Sequence, residues 1–330
     1  MYFKTLISEK PIQCYGKKFN LKTPFEKYYY CQHMQAFEYF KQSVQQLEKI
    51  YPKEEATQIM HWVFEDILLI KKNHLQFLDK EIGYTEELKL NPILERLLNG
   101  EPLQYILGYA YFRNLCLAVN KHVLIPRPET EELVEWMVSG INNYYNKEHP
   151  VKILDIGTGS ACIALSLKNE IRNSQVSAID ISNEALNIAR HNSINQKLDI
   201  HFNESSILDD FCKNWVQSQN FDVMVSNPPY ITENEKSEMH LNVLNHEPHM
   251  ALFVPDEDPL LFYRHILNTF LISDSAKLLF FEISEFQEEA LKKLCETYAL
   301  NTEFKKDLQG KMRMLKVMKT SSGQRAGSIG

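Results

Sequence analysis

Four consecutive residues, Asn227-Pro228-Pro229-Tyr230, carry the clearest chemistry in the chain. They follow an apolar run, Phe221-Asp222-Val223-Met224-Val225-Ser226, that predicts a buried strand, so they stand at a strand end. A nitrogen in an amide or an aromatic amine is a poor nucleophile, because its lone pair is delocalised into the π-system. The Asn227 side-chain oxygen and the Pro228 carbonyl are two acceptors that can take both of its N–H bonds. So held, the nitrogen aims its lone pair at an electrophilic methyl group, and the charge developing on it is stabilised. The prolines stiffen the turn and fix the carbonyl direction. Tyr230 offers a flat surface for stacking on a planar group. Taken alone, the four residues also read as an ordinary Asn-Pro turn.

A second motif makes the turn reading less apt. Asp155-Ile156-Gly157-Thr158-Gly159-Ser160 follows the strand run Val151-Lys152-Ile153-Leu154 and opens a helical pattern over 161–167. Glycines at such a turn let a ligand approach the backbone and meet its amides. A dinucleotide fingerprint needs a glycine at 162, which is Cys162, and a phosphate loop needs Gly-Lys-Ser/Thr, which is absent. What remains is a glycine turn with a carboxylate, Asp180, 23 positions past Gly157 at the end of the next strand. A carboxylate there can accept both hydroxyls of a ribose. Asp155 is placed to meet a cationic amino group.

These motifs need a sheet to hold them. Strands are predicted at 151–156, 175–179, 221–226 and 276–282, with helices near 184–195 and 285–298. Such alternation implies a mostly parallel, doubly wound α/β sheet, whose ligands bind at the carboxyl ends of the strands. Ahead of it, Phe37, Phe40, Val44, Leu47 and Ile50 recur at helical spacing. Ala56, Ile59, Met60, Val63 and Phe64 continue the pattern, and Leu88, Leu90, Ile93, Leu97 and Leu98 end before Gly100. Residues 35–100 are therefore read as a small helical domain. Residues 101–130 hold two strand-like runs and are read as a hairpin linker, and 131–319 as the α/β domain. Residues 320–330, rich in serine and glycine, predict a disordered tail.

The composition, 44% hydrophobic and 24% charged, is that of a soluble globular protein. Six scattered cysteines without a C-x-x-C pair fit reduced thiols in the cytoplasm. No apolar run approaches ~18 residues, which argues against a membrane partner. A net charge of −7 lacks the field that accompanies broad nucleic-acid binding and favours a protein partner. His240, His246 and His249 with Glu247 match no common zinc spacing, so no metal is expected.

In this order, Asp155 to Ser160, Asp180 and Asn227-Pro228-Pro229-Tyr230 resemble the class I methyltransferases that modify nitrogen. More narrowly, the chain resembles the glutamine methyltransferases of peptide chain release factors, the PrmC/HemK family, from about residue 36 to 319. The segments 102–108 and 124–131, and Glu247-Pro248 followed by Ala251-Leu252, belong to the same likeness. It implies a seven-stranded class I methyltransferase sheet behind a small N-terminal helical, substrate-binding domain, joined by a β-hairpin. It also implies S-adenosylmethionine as cofactor and methyl transfer to the glutamine of a Gly-Gly-Gln tip, with the release factor as partner; apart from the likeness, a monomer is expected. Cofactor-binding residues carried over are Gly157, Thr158, Gly159, Ser160, Ala161, Asp180, Ile207 and Asn227. Asn227, Pro228, Pro229 and Tyr230 would bind the glutamine, with Asn227, Pro228 and Tyr230 catalytic. Three positions depart from the pattern. Ala161 replaces a third glycine and should narrow the turn, Ser206 stands where an acidic residue is common, and residues 253–259 replace a glycine-rich stretch. An amino-methyltransferase of RNA or DNA is the alternative activity, and it would need a basic face or a flipped-base pocket. A non-catalytic scaffold would be expected to have a broken clamp. Arg127, between two prolines, is read as a brace at the domain junction with some substrate contact. Residues 1–34 lack a helical or strand period and are read as a flexible extension, with Met34 a candidate start.

Overall fold

The computed structural model describes residues 12–14, 17–19, 34–146 and 148–320. They fall into two compact units, one ending at Ile106 and the other beginning at Leu107. In the first, strands β1 (Ile12–Cys14) and β2 (Lys17–Phe19) pair antiparallel, where periodicity predicted no strand. The expectations for the rest of the first 33 residues and for residues 321–330 lie outside the described residues.

Three helices, Ala36–Leu47, Lys53–Leu68 and Tyr84–Leu98, form the body of the first unit. A short antiparallel pair, β3 (Met34–Gln35) and β4 (Glu81–Ile82), accompanies them. The predicted stripe residues Phe40, Leu47, Met60, Phe64 and Leu97 are buried, and Phe40 meets Phe64 edge-to-face at 5.4 Å. Gly100 follows the last helix with φ +80°, the left-handed conformation that closes helices.

The second unit opens on the hairpin of β5 (Tyr109–Phe112) and β6 (Leu115–Ala118). It is part of this unit's core rather than a free linker: Phe112, Leu115 and Leu117 are buried among the sheet's residues. The chain then alternates strand and helix through β7 (Val151–Ile156), β8 (Ser174–Asp180), β9 (His201–Glu204) and β10 (Val223–Ser226). A two-stranded parallel pair follows, β11 (Ile231–Thr232) with β12 (Phe253–Val254), closing an excursion of the chain. The sheet is completed by β13 (Leu278–Glu282), β14 (Leu300–Lys306) and β15 (Met312–Lys319). Its order is β14-β15-β13-β10-β7-β8-β9, parallel except that β15 runs antiparallel to both its neighbours.

The central strands are apolar on both faces, as a sheet covered on both sides requires. Alternate residues divide between two cores. Ile153, Val223, Val225 and Phe280 face one, which holds Leu133 and Met137 from the helix Pro128–Tyr144. Leu154, Met224, Leu279 and Phe281 face the other, which holds Tyr263, Ile266 and Phe270 from the helix Leu261–Ile272. The chain winds outward from β7 through β8 to β9, then returns to β10 on the other side of β7. That reversal leaves a crevice at the carboxyl ends of β7 and β10, where both motifs stand.

Among the described residues, no helix is long and apolar enough to cross a membrane.

Candidate active site

The glycine turn takes its shape from left-handed residues. Gly157 and Gly159 have φ of +74° and +53°, and a Cβ on either would meet no atom within 4 Å, so both face open space. Ala161 is also left-handed, at φ +65°, and fully buried. It does not line the cavity beside the turn. The usual third glycine therefore answers a backbone demand, not a need for room. Alanine meets it at a strain of about 1–2 kcal/mol and does not narrow the cavity.

Asp155 lies fully buried beneath the turn instead of on the cavity wall, and its Oδ2 accepts the Thr158 hydroxyl at 2.6 Å. Burial pushes its carboxyl up to about 7, against the pull of the Thr158 hydroxyl and the Ala164 amide. Asp180 closes β8 at the rim. Gly159 N–H donates to its Oδ2 and Ser182 N–H to its Oδ1, each at 2.9 Å. The two bonds fix the carboxylate and tie it to the turn, and each oxygen keeps a lone pair for a ligand. Burial raises this carboxyl too, opposed by those amides.

The clamp is pinned from both ends. Ser226, buried, donates its hydroxyl to the Ile156 carbonyl at 2.7 Å, joining the ends of β10 and β7. Gln287 Nε2 donates to the Tyr230 carbonyl at 3.2 Å and to that of Pro259 at 3.3 Å. A cavity of about 450 Å³ lies between clamp and turn, within the range of small-molecule sites. Gly157, Thr158, Gly159, Ser160, Asp180, Ile207, Asn227, Pro228 and Pro229 all line it. Tyr230 does not; it packs against the core that contains Tyr263, and burial raises its phenol well above the usual range.

Several working residues gave no motif. Asn192, 1% exposed, donates to the carbonyls of Ser160 and Ala118 and accepts the Ala118 amide, tying the glycine turn to the β5–β6 hairpin. Thr130, in the first turn of its helix, donates its hydroxyl to Glu282 Oε2 at 2.6 Å. An acidic residue ending an apolar strand, as Asp180 does, was the available signal for Glu282.

Arg127 lines the cavity and its Nη2 donates to Glu247 Oε1 at 2.6 Å. The Glu247 side chain is 1% exposed against 34% for Arg127, and its second oxygen is buried without a partner. Arg127 therefore braces residues 124–131 against the excursion that follows the clamp, within the second unit. Arg127→Ala leaves a buried carboxylate unpaired, and since the arginine is partly exposed the expected loss is about 1–3 kcal/mol. A thermal melt should fall by several degrees, at roughly 2–4 °C per kcal/mol for a unit of this size. Of the histidines nearby, His249 bonds the Leu244 carbonyl at 2.7 Å and meets the Phe253 ring edge-on.

Comparisons with known proteins place both parts of the chain. Residues 38–108 match the PrmC N-terminal domain and residues 140–252 the methyltransferase small domain. The release factor glutamine methyltransferase of Flavobacterium psychrophilum is 42% identical over 283 residues, which cover 84% of this chain and 97% of the relative. The chain belongs to the release factor glutamine methyltransferase family. The family's enzymes of the same name from Bacteroides thetaiotaomicron and Streptococcus pneumoniae are 40% and 37% identical. Each alignment covers 82% of this chain, with 95% and 94% of the two relatives. The family's two parts, helical domain and methyltransferase sheet, thus map onto the two units of the fold.

Proposed function

We propose that this chain transfers a methyl group from S-adenosylmethionine to the side-chain amide nitrogen of the glutamine in the Gly-Gly-Gln tip of peptide chain release factors. The observation that carries the reading is the meeting of the glycine turn, Asp180 and Asn227-Pro228-Pro229 on one cavity. Relatives at 37–42% identity bear the name of that activity.

The residues present fit the cofactor. Gly157 and Gly159 leave open the space that side chains would fill, and Asp180 is held with lone pairs free for a ribose. Ile207, nearly buried on the same wall, offers an apolar surface to a base. When bound, the cofactor supplies an electrophilic methyl group. The protein's part is to hold the nucleophile. Asn227 Oδ1 and the Pro228 carbonyl accept the two N–H bonds of the glutamine amide, aligning its lone pair and meeting the charge that develops. The nitrogen sheds its proton after transfer, so no side chain is assigned as a base. On this reading the partner is a protein, and the enzyme acts as a cytoplasmic monomer without a stable nucleic-acid partner.

The deciding experiment supplies labelled S-adenosylmethionine with release factor, tRNA, rRNA or DNA in separate reactions. Label on the release factor, located by mass spectrometry to the Gly-Gly-Gln glutamine, is the expected result. Label on a nucleic acid alone would overturn it. We further propose that the first 33 residues are dispensable: a chain starting at Met34 should melt within a few degrees of the full chain, the shift that ~1 kcal/mol produces. It should also methylate at the same rate. A larger drop would make the segment structural, and lost activity at equal stability would make it a docking arm.

A further inference from the structure

Glu282 ends β13 where the apolar run Leu278-Leu279-Phe280-Phe281 stops. Phe281 pairs with Ser226 in parallel register, so Glu282 and Asn227 leave adjacent strands side by side. Glu282 is 3% exposed, a depth at which a carboxylate needs hydrogen-bonding partners. The Thr130 hydroxyl fills its Oε2 at 2.6 Å, and the Asn227 side chain, beside it at the end of the neighbouring strand, favours its charged form as a donor does. An ionised carboxylate only accepts, so the atom that Asn227 turns to it is Nδ2. Oδ1 is then left for the cavity. A carboxamide is nearly symmetric in shape and flips at little steric cost, yet the clamp works only with the oxygen outward.

We infer that Glu282 is a positioning residue for methyl transfer, whose carboxylate holds the Asn227 carboxamide with Oδ1 facing the substrate nitrogen. The inference rests on the clamp reading above. It also makes the clamp sensitive to acid. Burial pushes the Glu282 carboxyl up to about 7. The Thr130 hydroxyl, Arg313 on β15 and Asn227 pull it down, while Glu129 in the helix Pro128–Tyr144 pushes it up. From the helix Leu261–Ile272, the Tyr263 hydroxyl donates to the Glu282 backbone carbonyl. Tyr230 and Cys162 also face it, and burial pushes both the phenol and the thiol up, so both stay protonated. Once protonated, Glu282 becomes a donor, and the acceptor it draws is Asn227 Oδ1. The productive clamp is therefore depleted as pH falls through about 7.

The test compares wild type, Glu282→Leu and Glu282→Gln on the release-factor substrate between about pH 6 and about pH 8.5. Glu282→Leu should lose on the order of 100-fold in kcat while cofactor affinity stays within about threefold. Glu282→Gln keeps an acceptor for Nδ2 but cannot titrate. Its kcat should fall only about tenfold and lose the acid limb of the wild-type profile. Independently of any substrate, the Asn227 side-chain amide resonance, assigned by its loss in Asn227→Ala, should titrate in wild type and stay fixed in Glu282→Gln.

A folded, cofactor-binding Glu282→Leu with kcat within about threefold of wild type would overturn the inference. So would an acid limb that survives in Glu282→Gln, or an Asn227 resonance indifferent to pH. If Glu282→Leu does not fold, the glutamine variant and the resonance decide. If wild type fails to methylate the release factor, the proposed substrate is wrong, and the resonance still judges Glu282.

Discussion

Asn227→Ala is expected to fold, to bind S-adenosylmethionine with near-normal affinity, and to lose on the order of 100-fold or more in kcat. The size follows from where the side chain acts. A planar amide gains little from a hydrogen bond in the ground state, where its N–H groups are also satisfied by water. As the lone pair leaves the π-system, positive charge grows on nitrogen, and a fixed acceptor becomes worth several kcal/mol in a water-poor site. Removing such a group therefore lowers kcat rather than raising KM. The fold should tolerate the change, because Ser226 and Gln287 hold the strand end and the Thr130 hydroxyl still donates to Glu282 when the Asn227 side chain is lost. Single-turnover transfer to the release factor, with cofactor affinity measured in parallel, is the check. Turnover within about threefold of wild type would remove the clamp mechanism. A matched loss of cofactor affinity would instead place the residue in ground-state binding.

Much of this site was legible in the sequence because it depends on two short segments in which residue type and strand position coincide. Gly157, Gly159 and Asp180 stand where a strand-turn-helix unit must put them, and the strand run 151–156 is the observed β7. The apolar runs ahead of Asn227 and Glu282 were equally clear, since strands covered on both faces have little room for polar residues. What stayed hidden depends on contacts between distant positions. Thr130 and Glu282 are 152 residues apart, Arg127 and Glu247 are 120 apart, and no local period joins them. Asn192 looked like one more polar residue on a helix, yet it is buried and bonds the backbone of two other segments. Strand β9, His201-Phe202-Asn203-Glu204, was not predicted because an edge strand with half-exposed polar residues has no apolar run. Ala161 was read for its volume, although the structure shows that its dihedral angle is what matters. Tyr230 was read as a stacking surface from its place beside the prolines; its ring is partly buried and packs against the core that contains Tyr263.

The second large effect is expected at Asp180. Asp180→Ala removes the acceptor proposed for the ribose hydroxyls, and charge-assisted bonds contribute about 1.5–3 kcal/mol each. One lost bond of that strength weakens binding about tenfold and two weaken it further, so calorimetry should show at least a tenfold rise in Kd for S-adenosylmethionine. The variant also releases the Gly159 and Ser182 amides, so part of the loss comes through a loosened glycine turn. Asp180→Asn separates the two contributions. Its one oxygen can still accept an amide, but it no longer offers two charged acceptors. If the ribose bonds dominate, asparagine should bind nearly as poorly as alanine while melting close to wild type. If the turn dominates, asparagine should recover most of the affinity. A Kd unchanged in both variants would mean that the ribose is held elsewhere, and the role given to the end of β8 would fall with it. The kcat at saturating cofactor should change far less than Kd, because Asp180 belongs to the turn side of the cavity and the clamp does not depend on it. That contrast with Asn227, affinity lost here and turnover lost there, is what two segments with separate tasks must produce.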